Sequence, residues 1–292
     1  MRPVHILLMT CTAAVWGFNF IAIRIALEVF SPEQLAFARA ATMLLVLLPW
    51  WKPWKPVSMR FLAACLSIGA VAFYLLFTAV GMTDNLTTVA IGTQLMAPMA
   101  AIVALLVYHE AISRRKWLGI LLATGGAIYL ASSGATTLSA AALGVTVLAV
   151  SFYSAGSVVA ARSSSVDVWR MLAWISAIAV VPTALMAGLS GSLLPDPSTL
   201  ELKHWLAVVF ALIVSAMLGQ AVLLSLYRIY PISDVAPYTL LIPVFAALFA
   251  VLIYGESLAV SLLLGGAIVL AGVWIQQASS SDGSKQEGFP AG

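Results

Sequence analysis

Apolar residues run along this chain in ten blocks, each close to the roughly 20 residues that a helix needs to cross a hydrocarbon core. The blocks fall at 4–27, 32–50, 60–81, 86–108, 117–133, 138–159, 168–190, 203–227, 234–254 and 260–277. Breakers separate them: Ser31-Pro32, Trp51-Lys52-Pro53, Ser113-Arg114-Arg115-Lys116, Pro195-Asp196-Pro197 and Tyr230-Pro231. This pattern predicts an all-α integral membrane protein of ten transmembrane helices joined by short connections. From Ser279 to Gly292 the chain turns polar and rich in Gly and Ser, which predicts a disordered tail. The first block follows Met1-Arg2-Pro3 and has the look of a signal peptide. It runs on to Leu27 and carries Trp16, Asn19 and Arg24, so it reads as a retained first helix.

Composition excludes a water-soluble alternative. Of 292 residues, 62% are hydrophobic and 9% charged, and the mean hydropathy is +1.05. A soluble domain carries roughly a quarter charged residues, and no aqueous fold hides this much apolar surface. The net charge of +3 forms no continuous basic patch, so no nucleic-acid partner is expected. Cys11 and Cys65 lack the spacing of a metal site or a disulfide framework and read as small packing residues.

Charge instead sets orientation. With ten spans, one face holds Arg2, Lys52, Lys55, Arg60, Arg114, Arg115, Lys116, Arg162, Arg170, Arg228 and Lys285. The other holds Lys203, with Arg24 and Arg39 near helix ends. The face rich in Lys and Arg is the cytoplasmic one. The expectation is a multi-pass protein of the cell (inner) membrane with both termini in the cytoplasm.

The two halves resemble each other. Tyr108-His109-Glu110 is followed by Gly119 and Gly126, and Tyr254-Gly255-Glu256 by Gly265 and Gly272 at the same spacing. Pro98 and Pro243 open the runs that lead to those glutamates. An odd number of helices per half turns the second copy upside down. Inverted repeats are a mark of secondary transporters that bind their solute between the repeats.

These residues carry a family resemblance. Trp16-Gly17-Phe18-Asn19-Phe20-Ile21-Ala22-Ile23-Arg24 resembles the first-helix motif of the EamA family, within the drug/metabolite transporter superfamily. Leu35-Ala36-Phe37-Ala38-Arg39 resembles its second-helix Arg motif. The Pro98, Glu110, Gly119 block and the Pro243, Glu256, Gly265 block resemble the ends of its repeats. Among members the chain looks most like the YddG-type exporters of aromatic amino acids. The resemblance implies two inverted five-helix repeats, here 1–134 and 135–278 with a tail at 279–292. It also implies a cavity lined from both halves, with the last helix of each half at the periphery. Arg39 has no clear counterpart in helix seven, where Trp174 falls near the equivalent place.

Polar residues inside spans are costly in lipid and tend to face the bundle or a water-filled cavity. Trp16 and Asn19 share a face of helix one. Asn19 is either a substrate ligand or a bond to a neighbouring backbone. In helix four, Thr87, Gln94 and Pro98 share a face, and Pro98 frees a carbonyl near Gln94. Helix six offers Thr146, Tyr153 and Ser157, helix eight Gln220 and Tyr227, and helix nine Pro237, Tyr238 and Pro243. Helix three contributes Phe73, Tyr74 and Phe77, either as packing or as a ligand wall. Arg24 and Arg39 either attract an anionic group or pair with Glu28 and Glu33; ion pairing or snorkelling is the favoured reading over substrate contact.

No carboxylate falls mid-span. The acids and the three histidines, His5, His109 and His204, all sit near helix ends, in loops or in the tail. Proton-coupled pumps commonly use buried Asp, Glu or His. The chain therefore reads as a facilitator that exports small neutral or zwitterionic metabolites, amino acids including aromatic ones, by alternating access. Alternatives are another solute class (a purine metabolite, a cysteine derivative or an organic cation) or a proton-coupled antiporter. No nucleophile–base pair, clustered metal ligands or phosphate loop points to an enzyme, and no cofactor is expected. The expected partners are a small-molecule substrate and membrane lipid, with the chain a monomer or weak homodimer.

Overall fold

The computed structural model describes residues 1–52, 58–83, 89, 92–132, 139–163, 167–254 and 260–283, and among these all regular structure is helical. Ten longer helices follow in order among the described residues: α1 (Pro3–Ala26), α2 (Pro32–Leu47), α3 (Met59–Gly81), α4 (Met96–Tyr108), α5 (Arg114–Ser132), α6 (Ala140–Ser163), α7 (Val168–Leu189), α8 (Leu202–Ile229), α9 (Ile242–Tyr254) and α10 (Val260–Gly283). Five of them, α1, α3, α6, α7 and α8, are each long and apolar enough to cross a bilayer. Met96–Tyr108, Ile232–Ala246 and Leu264–Ile275 are shorter apolar stretches.

Local chemistry starts these helices where the breakers stand. Proline occupies the first position of α1 and of α2, where its missing N–H costs nothing. Ser31 and Gln34 exchange side-chain and backbone hydrogen bonds of 3.2 and 2.9 Å, a capping box for α2. The Ser58 hydroxyl accepts from the Phe61 N–H, and the Asp167 carboxylate from the Arg170 N–H, capping α3 and α7. α4 stops where His109 turns into the left-handed region at φ 53°. The matching position of the second repeat, Gly255, lies outside the described residues.

Within the expected fourth span, 86–108, Val89, Gly92 and Thr93 are helical, a turn follows at Gln94 and Leu95, and α4 itself begins at Met96; residues 84–88, 90 and 91, including Thr87, lie outside the described residues. Pro98 does not loosen a mid-helix ladder. It lies in the first turn of α4, where backbone N–H groups have no intrahelical partner. The ninth span is broken too. A short helix (Ile232–Val235) and a 3-10 stretch (Ala236–Leu241) lead into α9. Ser279–Gly283 of the expected tail continue α10 as helix.

Packing partners come in related pairs. α2 lies on α7, and α5 on α10. α1 packs against α8 and α9, while α6 packs against α3 and α4. Exchanging each helix with the one five places along returns the same set, as two copies facing each other across a pseudo-twofold would. Deviations from regular helix are shared as well. A π-helical stretch opens eight residues into α3 (Ser67–Ala72) and eight residues into α8 (Phe210–Gly219). In α5 and α10 the paired Gly126 and Gly272 sit at the crossing. A Cβ on Gly272 would meet the Ala123 backbone nitrogen at 2.5 Å, and one on Gly126 would meet Ile268. Close approach of this kind replaces hydrophobic drive between helices in lipid.

The outer surface is apolar. Leu7, Leu45, Leu106, Leu121, Leu185, Leu206, Leu252 and Trp274 are all exposed, a surface suited to acyl chains and not to water. Polar contacts gather at the two ends. At one end the Glu28 carboxylate takes Lys203 at 2.8 Å and His204 at 3.2 Å. The Lys203 and His204 hydrogen bonds hold it below the usual carboxylate value, and Gln34 bonds Ser192 at 2.8 Å. At the other, His5 meets the Tyr230 hydroxyl at 2.7 Å, Arg162 donates to the Tyr230 carbonyl, and Lys116 pairs with Asp234 at 2.6 Å. Glu110 belongs to this second end. Its carboxylate accepts from the backbone N–H of Ile232 and of Ser233, both at 3.1 Å, and from the Ser233 hydroxyl at 2.9 Å.

Candidate functional site

A cavity of about 110 Å³ lies inside the bundle, walled by α1, α2, α3, α6 and α8, with Thr93 and Met96 at the entry to α4 and Ile242 at the start of α9. That is several times the roughly 10–15 Å³ needed to admit one water. Among the described residues, none of α5, α7 or α10 lines its wall.

Trp16 and Tyr153 stand at the same place in α1 and α6, each thirteen residues beyond the first, and both line the cavity. The Trp16 indole donates to the Ser215 carbonyl at 3.1 Å, inside the π-helical stretch of α8. Such stretches relax the i to i−4 ladder and often mark functional sites. On the facing side the Ser67 hydroxyl, at the start of the α3 stretch, donates to the Phe152 carbonyl of α6 at 2.7 Å. Tyr153 stands edge-on to Phe73, with ring centroids 5.8 Å apart and planes at 89°. Phe73 in turn leans on Phe77.

Arg39 is the charge in this wall. It is 2% exposed, with its guanidinium carbon 3.4 Å from the Phe73 ring centroid. Nη2 donates to the Gln220 Oε1 of α8 at 2.9 Å. Among the described residues no carboxylate lies within ion-pair distance of it, and no acid lines the cavity. The expected pairing with Glu33 is therefore corrected, because α2 is rotated so that Arg39 points inward and not along the helix end. A desolvated cation–π contact is worth about 2 kcal/mol and a hydrogen bond to a charged group about 1.5–3 kcal/mol. Burying a guanidinium costs several kcal/mol, the same order as these two contacts together, and no counter-charge is added to them. Nε of Arg39, Nε2 of Gln220 and Oδ1 of Asn19 are buried without a protein partner.

Of the residues singled out in the sequence, Trp16, Asn19, Phe73, Phe77, Tyr153 and Gln220 come together in the wall. The others stand elsewhere. Tyr74 packs against the cluster around Phe77 and Leu212. Gln94 is buried beside the entry and approaches Thr93 at 3.4 Å. Pro98, Ser157, Tyr227 and Tyr238 are buried between helices. Thr146 turns its hydroxyl back to the Ala142 carbonyl. Pro237 opens the 3-10 stretch, and the side chain of Pro243 lies outside the described ones. Trp174 packs on Trp51, away from the cavity. Thr93 and Ser215 are wall residues that the sequence did not point to, and Arg39, noted there as a motif residue, was expected mainly to pair or snorkel.

Gly219 fixes the Trp16 ring. A Cβ there would fall 2.5 Å from the indole nitrogen and 3.0 Å from Cε2. Gly219→Ala is expected to swing the ring, break its bond to Ser215 and reshape the cavity. Transport should fall about tenfold, the equivalent of roughly 1.4 kcal/mol in the barrier. Initial rates in proteoliposomes check this, and an unchanged rate would show that the ring position is immaterial.

The comparisons with known proteins agree with this architecture. The sequence profile of the EamA-like transporter family matches twice, over residues 4–132 and 140–276. A protein of Salmonella typhimurium (strain LT2) described as a probable amino-acid metabolite efflux pump is 27% identical over 276 residues, covering 89% of this chain and 90% of that one. Its namesake in Escherichia coli (strain K12) is 25% identical over the same coverage. An uncharacterized transporter of Archaeoglobus fulgidus is 26% identical over 287 residues, covering 93% of this chain and 96% of that one. A solved crystal structure shares the fold with a TM-score of 0.75 at 15% identity, covering 95% of this chain and 99% of that chain. Two tandem matches spanning nearly the whole chain, on a helical bundle with an internal cavity, make this protein a multi-pass membrane transporter belonging to the EamA-like transporter family.

Proposed function

We propose that the protein exports amino acids or amino-acid metabolites, aromatic ones among them, from the cytoplasm by alternating access between two five-helix halves, residues 1–134 and 135–278. The observation that carries this reading is the cavity at the seam. Its wall is aromatic and aliphatic, with a few polar groups converging from α1, α2 and α8. Such a lining suits a small solute with one apolar and one polar end. The relatives described as amino-acid metabolite efflux pumps support the same class. Arg39 weighs against an organic cation, which it would repel.

The wall holds no Asp, Glu or His among the described residues, which favours a facilitator over proton-coupled antiport. The basic face of the bundle, with Arg2, Lys116 and Arg162 around Tyr230 and Asp234, supports a cytoplasmic position for that face and for both termini, since Lys and Arg concentrate on the cytoplasmic side of membrane proteins. Reconstituted protein should take up labelled phenylalanine and tryptophan saturably, show counterflow, and do so unchanged after a protonophore. Loss of uptake on collapsing the proton gradient would overturn the facilitator. Counterflow of nucleosides but of no amino acid would overturn the substrate class.

A further inference from the structure

We propose that Arg39 and Gln220 form a carboxylate-recognition site, so that the exported solute must carry a free carboxylate while its amino group is dispensable. This rests on the amino-acid reading above and narrows it to a chemistry.

The guanidinium of Arg39 comes from the first half of the chain and the amide of Gln220 from the second. They meet in the cavity wall through a bond of 2.9 Å from Nη2 to Oε1. That bond uses the only acceptor of Gln220 and leaves its NH2 group, a pure donor, with Nε2 unpartnered. Nε of Arg39 is a second donor without a partner. Both residues are more than nine-tenths buried, so these donors are withdrawn from water. A buried cation beside unfilled donors is matched by an anionic, planar acceptor, and a carboxylate is the acceptor that guanidinium geometry fits best. A purine or another neutral solute would leave the charge of Arg39 uncompensated.

The converse holds for the amine. Among the described residues the wall offers no carboxylate to an ammonium group. Among the described residues, the wall side-chain oxygen left buried without a partner is Oδ1 of Asn19, which a neutral amide N–H satisfies as well as an ammonium does. Most of the rest of the wall, including Phe20, Ile23 and Phe77, is apolar and takes the side chain. The solute class that follows is an apolar monocarboxylate with or without a free α-amine: an amino acid, its N-acyl derivative or its deaminated acid.

The test is counterflow of labelled phenylalanine in proteoliposomes of the unmodified protein, with four competitors: phenylalanine, N-acetylphenylalanine, 3-phenylpropionate and phenylalaninamide. The first three should compete within a few-fold of one another, and the amide more than about tenfold more weakly, as when a site built to bond a polar group meets an analogue without it. Equal competition by the amide, or no competition by the acetylated and deaminated acids, would overturn the proposal and leave the amino-acid reading standing. Absence of any phenylalanine counterflow would instead count against that reading. In that case thermal stabilisation by 3-phenylpropionate against its amide decides the carboxylate site by itself, and equal shifts would overturn it. In Arg39→Gln protein that remains folded, the preference for acid over amide should disappear, whereas Gln220→Glu should weaken binding of every carboxylate.

Discussion

Replacing Glu110 by alanine is expected to lower the unfolding free energy by about 2–4 kcal/mol. The side chain reaches from the end of α4 across to the start of the broken segment before α9. There it accepts three hydrogen bonds, two of them from backbone N–H groups of Ile232 and Ser233. Both residues are fully buried, so water cannot replace the lost acceptor, and two donors are left in a dry environment. Arg162, 3.6 Å from the same carboxylate, loses its counter-charge as well. Glu110→Gln keeps one acceptor oxygen and should fall between parent and alanine. Ser233→Ala removes the hydroxyl alone and should cost about 1 kcal/mol. The segment held in this way carries Ile242 to the cavity, so transport should suffer together with stability. Thermal unfolding of the detergent-solubilised variants checks the order, and an alanine variant as stable as its parent would remove Glu110 from the framework.

The second large effect is expected at Gly272, with the opposite pattern. Its Cα hydrogens face the backbone of α5, where a Cβ would stand 2.5 Å from the Ala123 nitrogen and 2.7 Å from the Gly119 oxygen. Backbone cannot rotate aside as a side chain does, so even alanine must push α10 away from α5. Overpacking by one carbon typically costs about 1–3 kcal/mol, and leucine, unable to fit at all, should cost more. Yet no described residue of α5 or α10 lines the cavity. Gly272→Ala should therefore depress the melting temperature while leaving the KM of the remaining folded protein close to its parent value. A raised KM with unchanged stability would mean that the α5–α10 crossing is coupled to the site.

Much of this architecture was legible in the chain. Hydropathy located the five long spans, placing their starts at 4, 60, 138, 168 and 203 against the observed 3, 59, 140, 168 and 202. The repeated Glu and Gly spacing read out the duplication that the family profile matches twice. What failed did so for physical reasons. A period of 3.6 tells which residues share a face but not where the face points. Tyr227, Tyr238 and Ser157 thus share their helices' polar stripes yet are buried between helices, while Arg39 turned inward. Its partner Gln220 stands 181 positions away, beyond any local pattern. Pro98 was ambiguous because proline both kinks a helix and begins one. The π-helical stretches of α3 and α8 leave no trace in hydropathy, since one more residue per turn conserves composition.

The bond that joins Arg39 to Gln220 also has a meaning for biosynthesis. At roughly 5–20 residues per second, the ribosome needs on the order of 10–40 seconds to reach Gln220 after Arg39 has been made. During that interval α2 waits in the membrane with its guanidinium unmatched by α8, and α1 waits with Trp16 lacking Ser215. A nascent first half is therefore an unfinished object that must be retained near the insertion machinery or shielded by lipid headgroups. Truncation between the two matched segments should yield a chain marked for proteolysis instead of a half-transporter.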